Sequence, residues 1–334
     1  MLNILRKLIV TCVCVVLSTT TLLMAGSAAS GAELDKVKLR LGWTFGGTFA
    51  AIYLGVDKGF YKEQGIDLEV LEGRGTVASA ATVGNGTDDF GFFDMSAVAR
   101  LIDKGLPLKG IAQIKQVSTM VVMSLAKTGI TKPKDLEGRI LSHPPGDSTS
   151  QIYPAFVKKT GIDINKVKIQ GLDSNIFHKA LADGQVDAIL GNEESDGLAL
   201  KNQGHQLNMM KFSDYGVNIV AYGFATRLDM IKNRPDLVKR FVAATVKSYT
   251  YTVDHIDEAV AIGKKKFPEY DSELLRRMVA FQPSTYGDAL RRGHPIGWVD
   301  ESVWKSTVEL LHEYMGLTDT NVSRYFTNEF IPSK

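Results

Sequence analysis

Short apolar runs alternate with longer amphipathic stretches from residue 37 to residue 202. Residues 37–41 place apolar and charged side chains at alternate positions, which predicts a half-buried strand. A helix over 48–58 follows, then a strand at 66–71, a helix at 76–83, a strand at 89–93, a helix at 95–104, a strand at 108–114 and the apolar run 119–126. A second series begins after Gly129, with strand 139–142, helix 148–159, strand 167–172, helix 176–183, strand 187–190 and helix 195–202. Such alternation is the pattern of an α/β fold with mainly parallel strands. Beyond 218–222 the pattern turns helical, over 234–254, 256–267, 271–281 and 301–314. Pro235 stands where a first-turn proline belongs, and Asp271 is a good N-cap.

The two series share a local design in which a helix ends at Gly and an Asp opens the next strand. Gly86-Thr87-Asp88-Asp89-Phe90-Gly91 answers Gly184-Gln185-Val186-Asp187-Ala188-Ile189. Glycine caps and Asp turns are common in their own right, but the repetition fits two similarly built lobes. The expected boundaries are 33–124 for the first part of lobe I, 125–220 for lobe II, and 221–334 for a return to lobe I with the C-terminal helices. The chain would then cross between lobes at about 122–128 and again at about 217–224.

The N-terminus changes how composition is read. Residues 1–32 run from Arg6-Lys7 through an apolar stretch at 8–24 to a series of small residues, the layout of a cleavable signal peptide. Ser30 and Ala32 permit cleavage before Glu33, and a cut after Ala29 is also allowed. A membrane anchor is the alternative, against which Ser18-Thr19-Thr20-Thr21 interrupts the apolar run. The whole chain carries 39 Lys and Arg against 37 Asp and Glu, but the leader holds two of the basic residues and no acidic one. The mature chain is therefore neutral. Both cysteines, Cys12 and Cys14, also fall in the leader, which removes thiol catalysis, Cys-ligated metal and disulfides from the mature protein. No cysteine follows the apolar run to carry a lipid. The expectation is a soluble periplasmic protein without a lipid anchor.

In open α/β sheets, ligands sit beyond the carboxyl ends of the strands, where helix starts point their N–H groups outward. That rule selects the loop with Trp43, Thr44 and Phe45, the loop with Arg74, Gly75 and Thr76, and the loop with Asp94 and Ser96. In the second series it selects Asp147, Ser148 and Thr149, the segment Asp173-Ser174-Asn175, and Glu193. Trp43 and Phe45 flank Thr44 just before paired glycines, which suits ring stacking on a ligand; burial in the core is the other possibility. Arg74 is either solvated or a ligand contact. Gly146 and three hydroxyls at a helix start make a stronger donor set. Glu193 and Glu194 cannot both face a small cleft easily, and Glu193 is taken as the one that does.

Catalytic patterns are missing. The six histidines lack metal-ligand spacing, and neither a nucleophile elbow nor a phosphate-cradling glycine loop occurs. Lys264-Lys265-Lys266 in a neutral chain reads as a solvated helix end, so no nucleic-acid partner is expected.

Leu39-Arg40-Leu41-Gly42-Trp43-Thr44, residues 55–70 and Asp89-Phe90-Gly91 resemble the solute-binding proteins of ABC importers. So do Asp135-Leu136-Glu137-Gly138-Arg139, residues 182–188 and 325–330. The branch is that related to thiamine-pyrimidine-precursor, sulfonate, taurine and nitrate binders. The resemblance implies a two-lobed periplasmic binding protein of type II, each lobe a mainly parallel sheet flanked by helices, joined by a two-strand hinge. It also implies a monomer that needs no cofactor, closes on a small molecule and docks to a permease in the inner membrane. Trp43 and Phe45 with Asp94 and Glu193 suit an amine-bearing heterocycle such as a thiamine pyrimidine precursor. Arg74 and the helix starts at Thr76 and Ser148 suit an organic anion instead, such as an alkanesulfonate, taurine, nitrate or an aromatic carboxylate. The heterocycle is preferred. A pyrimidine-synthase-like enzyme is the third reading, set against by the leader and by the lack of the cysteine-rich motif that group is described as carrying.

Overall fold

The computed structural model of the chain describes residues 33–44, 46–287 and 292–333. The proposed leader, including both cysteines, lies outside the described residues, as does Phe45. Asp35–Lys334 form one compact unit.

Two five-stranded sheets organise this unit. The strands are β1 (Asp35–Leu41), β2 (Ile66–Leu71), β3 (Phe90–Asp94), β4 (Leu108–Gln113), β5 (Met120–Leu125), β6 (Ile140–His143), β7 (Lys168–Gly171), β8 (Ala188–Asn192), β9 (Leu207–Lys211) and β10 (Tyr222–Arg227). The first sheet has the order β2-β1-β3-β10-β4 and the second β7-β6-β8-β5-β9. In each, three strands pair in parallel and one reversed strand, β10 or β5, separates the third from the last. The two lobes therefore repeat one plan. β1 shows the expected alternation, with Val37, Leu39 and Leu41 buried between exposed or half-buried charges.

Helices cover both sheets: α1 (Ala50–Asp57), α2 (Phe60–Glu63), α3 (Thr76–Gly84), α4 (Met95–Asp103), α5 (Ser148–Thr160), α6 (Phe177–Ala182), α7 (Leu198–Asn202), α8 (Leu228–Asn233), α9 (Pro235–Asp254), α10 (Ile256–Lys266), α11 (Ser272–Phe281) and α12 (Glu301–Met315). The tail returns to the first lobe through α9, whose Phe241 stacks on Phe90 and whose Tyr249 packs edge-on to Phe224. α12 departs from that expectation. It packs on α5 of the second lobe as well as on α4 of the first, and Tyr314 accepts a hydrogen bond from Lys158 at 2.6 Å.

β5 also departs from the sequence reading. It is the fourth strand of the second sheet, so the first crossing runs from Gln113 to Met120 and not through 122–128. Its run Met120–Leu125 is buried at every position, as befits a strand covered on both faces. The second crossing lies between Lys211 and Tyr222. The two crossings run side by side: Lys115 N–H donates to Tyr222 O at 2.8 Å, and Ala221 N–H to Lys115 O at 3.1 Å. The Gln113 side-chain amide donates to the carbonyls of Lys115, Ala221 and Tyr222 and locks the pair together.

Candidate functional site

A cleft of about 500 Å³ opens between the two sheets. Its walls come from the loops after β1, β6, β7 and β8, from both crossings, and from the start of α11. Strand-end loops thus meet at one place, as the α/β rule requires. Trp43, Tyr222 and Tyr270 supply rings, and Asp147, Glu194 and Asp196 supply carboxylates. Among the described residues that line it, Lys115 and His178 are the basic side chains, and there is no arginine.

The carboxylates are held differently. Asp147 is the N-cap of α5, where it accepts from Ser150 N–H at 2.9 Å and faces His143 Nδ1 at 3.1 Å. That contact raises the His143 pKa, against the opposing effect of its partial burial. Asp196 accepts from Asn192 N–H at 2.8 Å and meets His178 Nε2 at 2.9 Å, which fixes the loop after β8. Glu194 binds Lys115 Nζ at 2.6 Å with both side chains almost fully buried, 4% and 3% exposed. The ammonium also lies 5.3 Å from the centre of the Tyr222 ring, a cation–π distance. Burial, then the Asp94 charge, push the Tyr222 hydroxyl pKa up, and a hydrogen bond with Ser148 opposes them.

Of the residues expected from sequence, the structure brings Trp43, Thr44, Asp147 and Ser148 to the cleft wall. Thr149 lies just behind it, its hydroxyl donating to Gly191 O at 3.4 Å. Glu193 turns away to pair with Lys211 at 2.7 Å, and its neighbour Glu194 takes the inward place. The two glutamates open a π-helical turn, Glu193–Gly197, and as successive residues of a helical turn they face different sides. Arg74 is exposed and is not part of the wall. Thr76 starts α3 and is buried at 1%. Asp94 and Ser96 are buried in a helix cap: the carboxylate accepts from Ser96 N–H, Ala97 N–H and, at 2.5 Å, Ser96 Oγ. Complete burial pushes the Asp94 pKa up to about 6, even with these donors opposing it. Gly75, with φ 111°, sits where a Cβ would stand 2.6 Å from Gly146 O of the opposite lobe.

Lys115, Glu194, Asp196, His178, Tyr222 and Tyr270 were not selected from sequence. Glu194 lay in a selected loop, but Lys115 and Tyr222 belong to the crossings, and nothing in their local pattern marks a cleft.

Trp43 has two environments. One face packs on the core of the first lobe and the rest lines the cleft. Trp43→Ala is expected to weaken ligand binding about ten-fold or more while the protein stays folded, as judged by isothermal titration beside circular dichroism. Unchanged affinity would assign the ring to the core alone.

Two α/β lobes, paired crossings and an interlobe cleft define the fold of the periplasmic solute-binding proteins. The chain belongs to the NMT1/THI5-like family, whose model matches residues 47–259. It is 24% identical over 319 residues to the riboflavin-binding protein RibY of Chloroflexus aurantiacus, covering 90% of this chain and 87% of that protein. It is 21% identical over 301 residues to the 4-amino-5-hydroxymethyl-2-methylpyrimidine phosphate synthase of Legionella pneumophila, covering 89% and 93%. Among solved structures, the alkanesulfonate-binding protein SsuA from Xanthomonas axonopodis pv. citri, bound to MOPS, superposes with a TM-score of 0.70 at 13% identity, covering 89% and 99%. Among the described residues no helix is long and apolar enough to cross a membrane, and no group of three or more His, Cys, Asp or Glu could hold a metal ion.

Proposed function

We propose that this protein is the solute-binding component of an ABC importer, exported to the periplasm, where it captures a small flat nitrogen heterocycle and presents it to an inner-membrane permease. The observation that carries the reading is the lining of the cleft: rings from Trp43, Tyr222 and Tyr270 beside carboxylates from Asp147, Glu194 and Asp196. Rings stack on a flat ligand, and carboxylates accept from its amines. A cleft of about 500 Å³ falls within the range of sites that bury drug-sized ligands, so fused rings fit as well as a single pyrimidine. The names of both protein relatives contain a nitrogen heterocycle.

An organic anion suits this lining less well. The helix start at Ser148 is capped by the chain's own Asp147; the start at Thr76 has no side-chain cap, but neither Thr76 nor Arg74 is part of the wall. A synthase activity like that named for the Legionella relative has no cysteine to draw on beyond residues 1–32.

The reading is tested by thermal shift of the chain from Glu33 with 4-amino-5-hydroxymethyl-2-methylpyrimidine, riboflavin and methanesulfonate. A heterocycle at about a thousand times its Kd is expected to add about 4 kcal/mol to stability, and methanesulfonate is expected to add nothing. Stabilisation by the sulfonate alone would replace the heterocycle with an anion. Turnover of any of the three would remove the binding-protein reading.

A further inference from the structure

The alternation of side chains across the two sheets divides the hydrophobic core three ways. Phe90 and Phe92 of β3 join a core confined to the first lobe, together with Leu275 and Val279 of α11. Val121 and Met123 of β5 join a core confined to the second lobe, together with Leu200 of α7. Phe93 of β3 and Val122 of β5 lie on the opposite faces. There a single buried cluster runs through both lobes, with Val98 of α4, Phe156 of α5, and Trp304 and Leu311 of α12.

On that side the lobes share a spine. Arg100 of α4 donates to Gln151 O of α5 at 3.1 Å, and Lys158 of α5 donates to Tyr314 O of α12 at 2.6 Å. Pulling α5 away from α4 and α12 would bring Phe156 and Trp304, both 0% exposed, into water, whereas packed helices can turn or slide on one another at smaller cost. The other side is built differently. α7 and α11 meet across the cleft, and Ala199 and Leu274 line it from the two helices. Each helix is rooted in the core of its own lobe, so parting them exposes no shared core. Ala199 and Leu274 are already only half-buried.

The crossings mark where such a movement turns. Val117 N–H donates to Thr285 O of the first lobe at 3.1 Å, and Thr119 O accepts from Glu193 N–H of the second at 2.9 Å, so Ser118 lies between the two attachments. In the other crossing, Val217 N–H donates to Phe212 O at 3.0 Å and Val220 N–H to Thr307 Oγ1 of α12 at 2.9 Å, with Asn218 and Ile219 between them.

We infer that the lobes open about the spine of α4, α5 and α12, turning at Ser118 and at Asn218 and Ile219, and that solute enters and leaves between α7 and α11. The cleft is thus sealed at one end by a core common to both lobes and gated at the other by two helices that belong to different cores. The inference rests on the solute-binding reading and adds the route to the site, whichever ligand occupies it.

The chain from Glu33 has no cysteine, so introduced pairs are its only thiols. Lys201→Cys/Glu273→Cys spans α7 and α11, and Lys158→Cys/Glu313→Cys spans α5 and α12; all four positions are exposed and none lines the cleft. Double electron–electron resonance on the spin-labelled, ligand-free proteins is expected to give a broad or two-peaked distance for the first pair and a single narrow one for the second. A narrow first distance, or a second distance as broad as the first, overturns the inference. Each pair is then joined by a short bis-maleimide before riboflavin, 4-amino-5-hydroxymethyl-2-methylpyrimidine or methanesulfonate is added. Joining α7 to α11 is expected to abolish whatever thermal shift the unjoined protein shows, and joining α5 to α12 is expected to leave it in place. The reverse pattern overturns the inference. A broad first distance beside a narrow second one, in a protein that none of the three compounds stabilises, upholds the opening movement and removes the ligand reading instead.

Discussion

Lys115→Met is expected to destabilise the protein by about 3–5 kcal/mol, because it leaves the Glu194 carboxylate buried without its cation. For a unit of this size that is a fall in Tm on the order of 10 °C. The size of the effect comes from burial. At 3% and 4% exposure neither side chain can be rescued by solvent, whereas the exposed pairs, such as Lys179–Asp183 with 75% and 40% exposure, are expected to be worth well under 1 kcal/mol. The double variant Lys115→Met/Glu194→Gln, which removes both charges, is expected to recover most of the loss. Calorimetry on the three proteins checks this. A single variant as stable as the wild-type protein would mean that the pair separates or that water reaches Glu194 in solution.

Gly75→Ala is expected to act on closure more than on folding. Gly75 has φ 111° and ψ 138°, a conformation open mainly to glycine, and its missing Cβ would stand 2.6 Å from Gly146 O across the cleft. The neighbour is a backbone carbonyl, so no side-chain rotation can relieve the clash. The lobes relieve it by parting, and a penalty of about 2 kcal/mol on the closed form weakens binding about thirty-fold. Titration should show this loss, and small-angle scattering with ligand present should show a larger radius of gyration than the wild-type complex. Gly146→Ala serves as a comparison, since a Cβ at that position meets nothing within 4 Å and only the positive φ of 77° is strained. Equal losses in the two variants would assign the effect to backbone conformation instead of the interlobe contact.

Much of this architecture was legible in the residues. Strands with strict alternation, such as β1, and helices with clear caps, such as α11 behind Asp271, fall within a residue or two of where the pattern puts them. What the pattern could not supply was partnership. The run 119–126 stands out in the sequence only as apolar; it follows β4 by six residues, and only the pairing of Met120 with Asn192 and of Val121 with Lys211 makes it a strand of the second sheet. β9 and β10 were both missed: Leu207–Lys211 is an edge strand without clean alternation, and Tyr222–Arg227 falls where the sequence pattern is read as turning helical.

The site divides the same way. The loops after β1, β6 and β8 follow from the rule for strand ends. Which of two adjacent glutamates turns inward is settled by their partners, Lys211 for Glu193 and Lys115 for Glu194, which lie far away in sequence. Asp94 looked like a ligand contact because it is acidic and stands at a strand end, and the same two features make it a helix cap. Lys115 and Tyr222 lie on crossings, where the chain leaves one lobe and the local pattern carries no trace of the other.

The two reversed strands differ in a way that bears on how the molecule is assembled. All five strands of the second sheet come from one continuous stretch, Met120 to Lys211, whereas the first sheet needs β10, which follows that stretch. Until Tyr222–Arg227 arrives, β3 and β4 have no partner on the sides they turn to each other. The inner lobe can be completed as soon as its own residues emerge. The outer lobe must hold two open edges across more than a hundred residues of intervening chain, which slows it and leaves it prone to mispairing. Order of emergence, and not only final stability, therefore decides which half of this protein depends on protection while it folds.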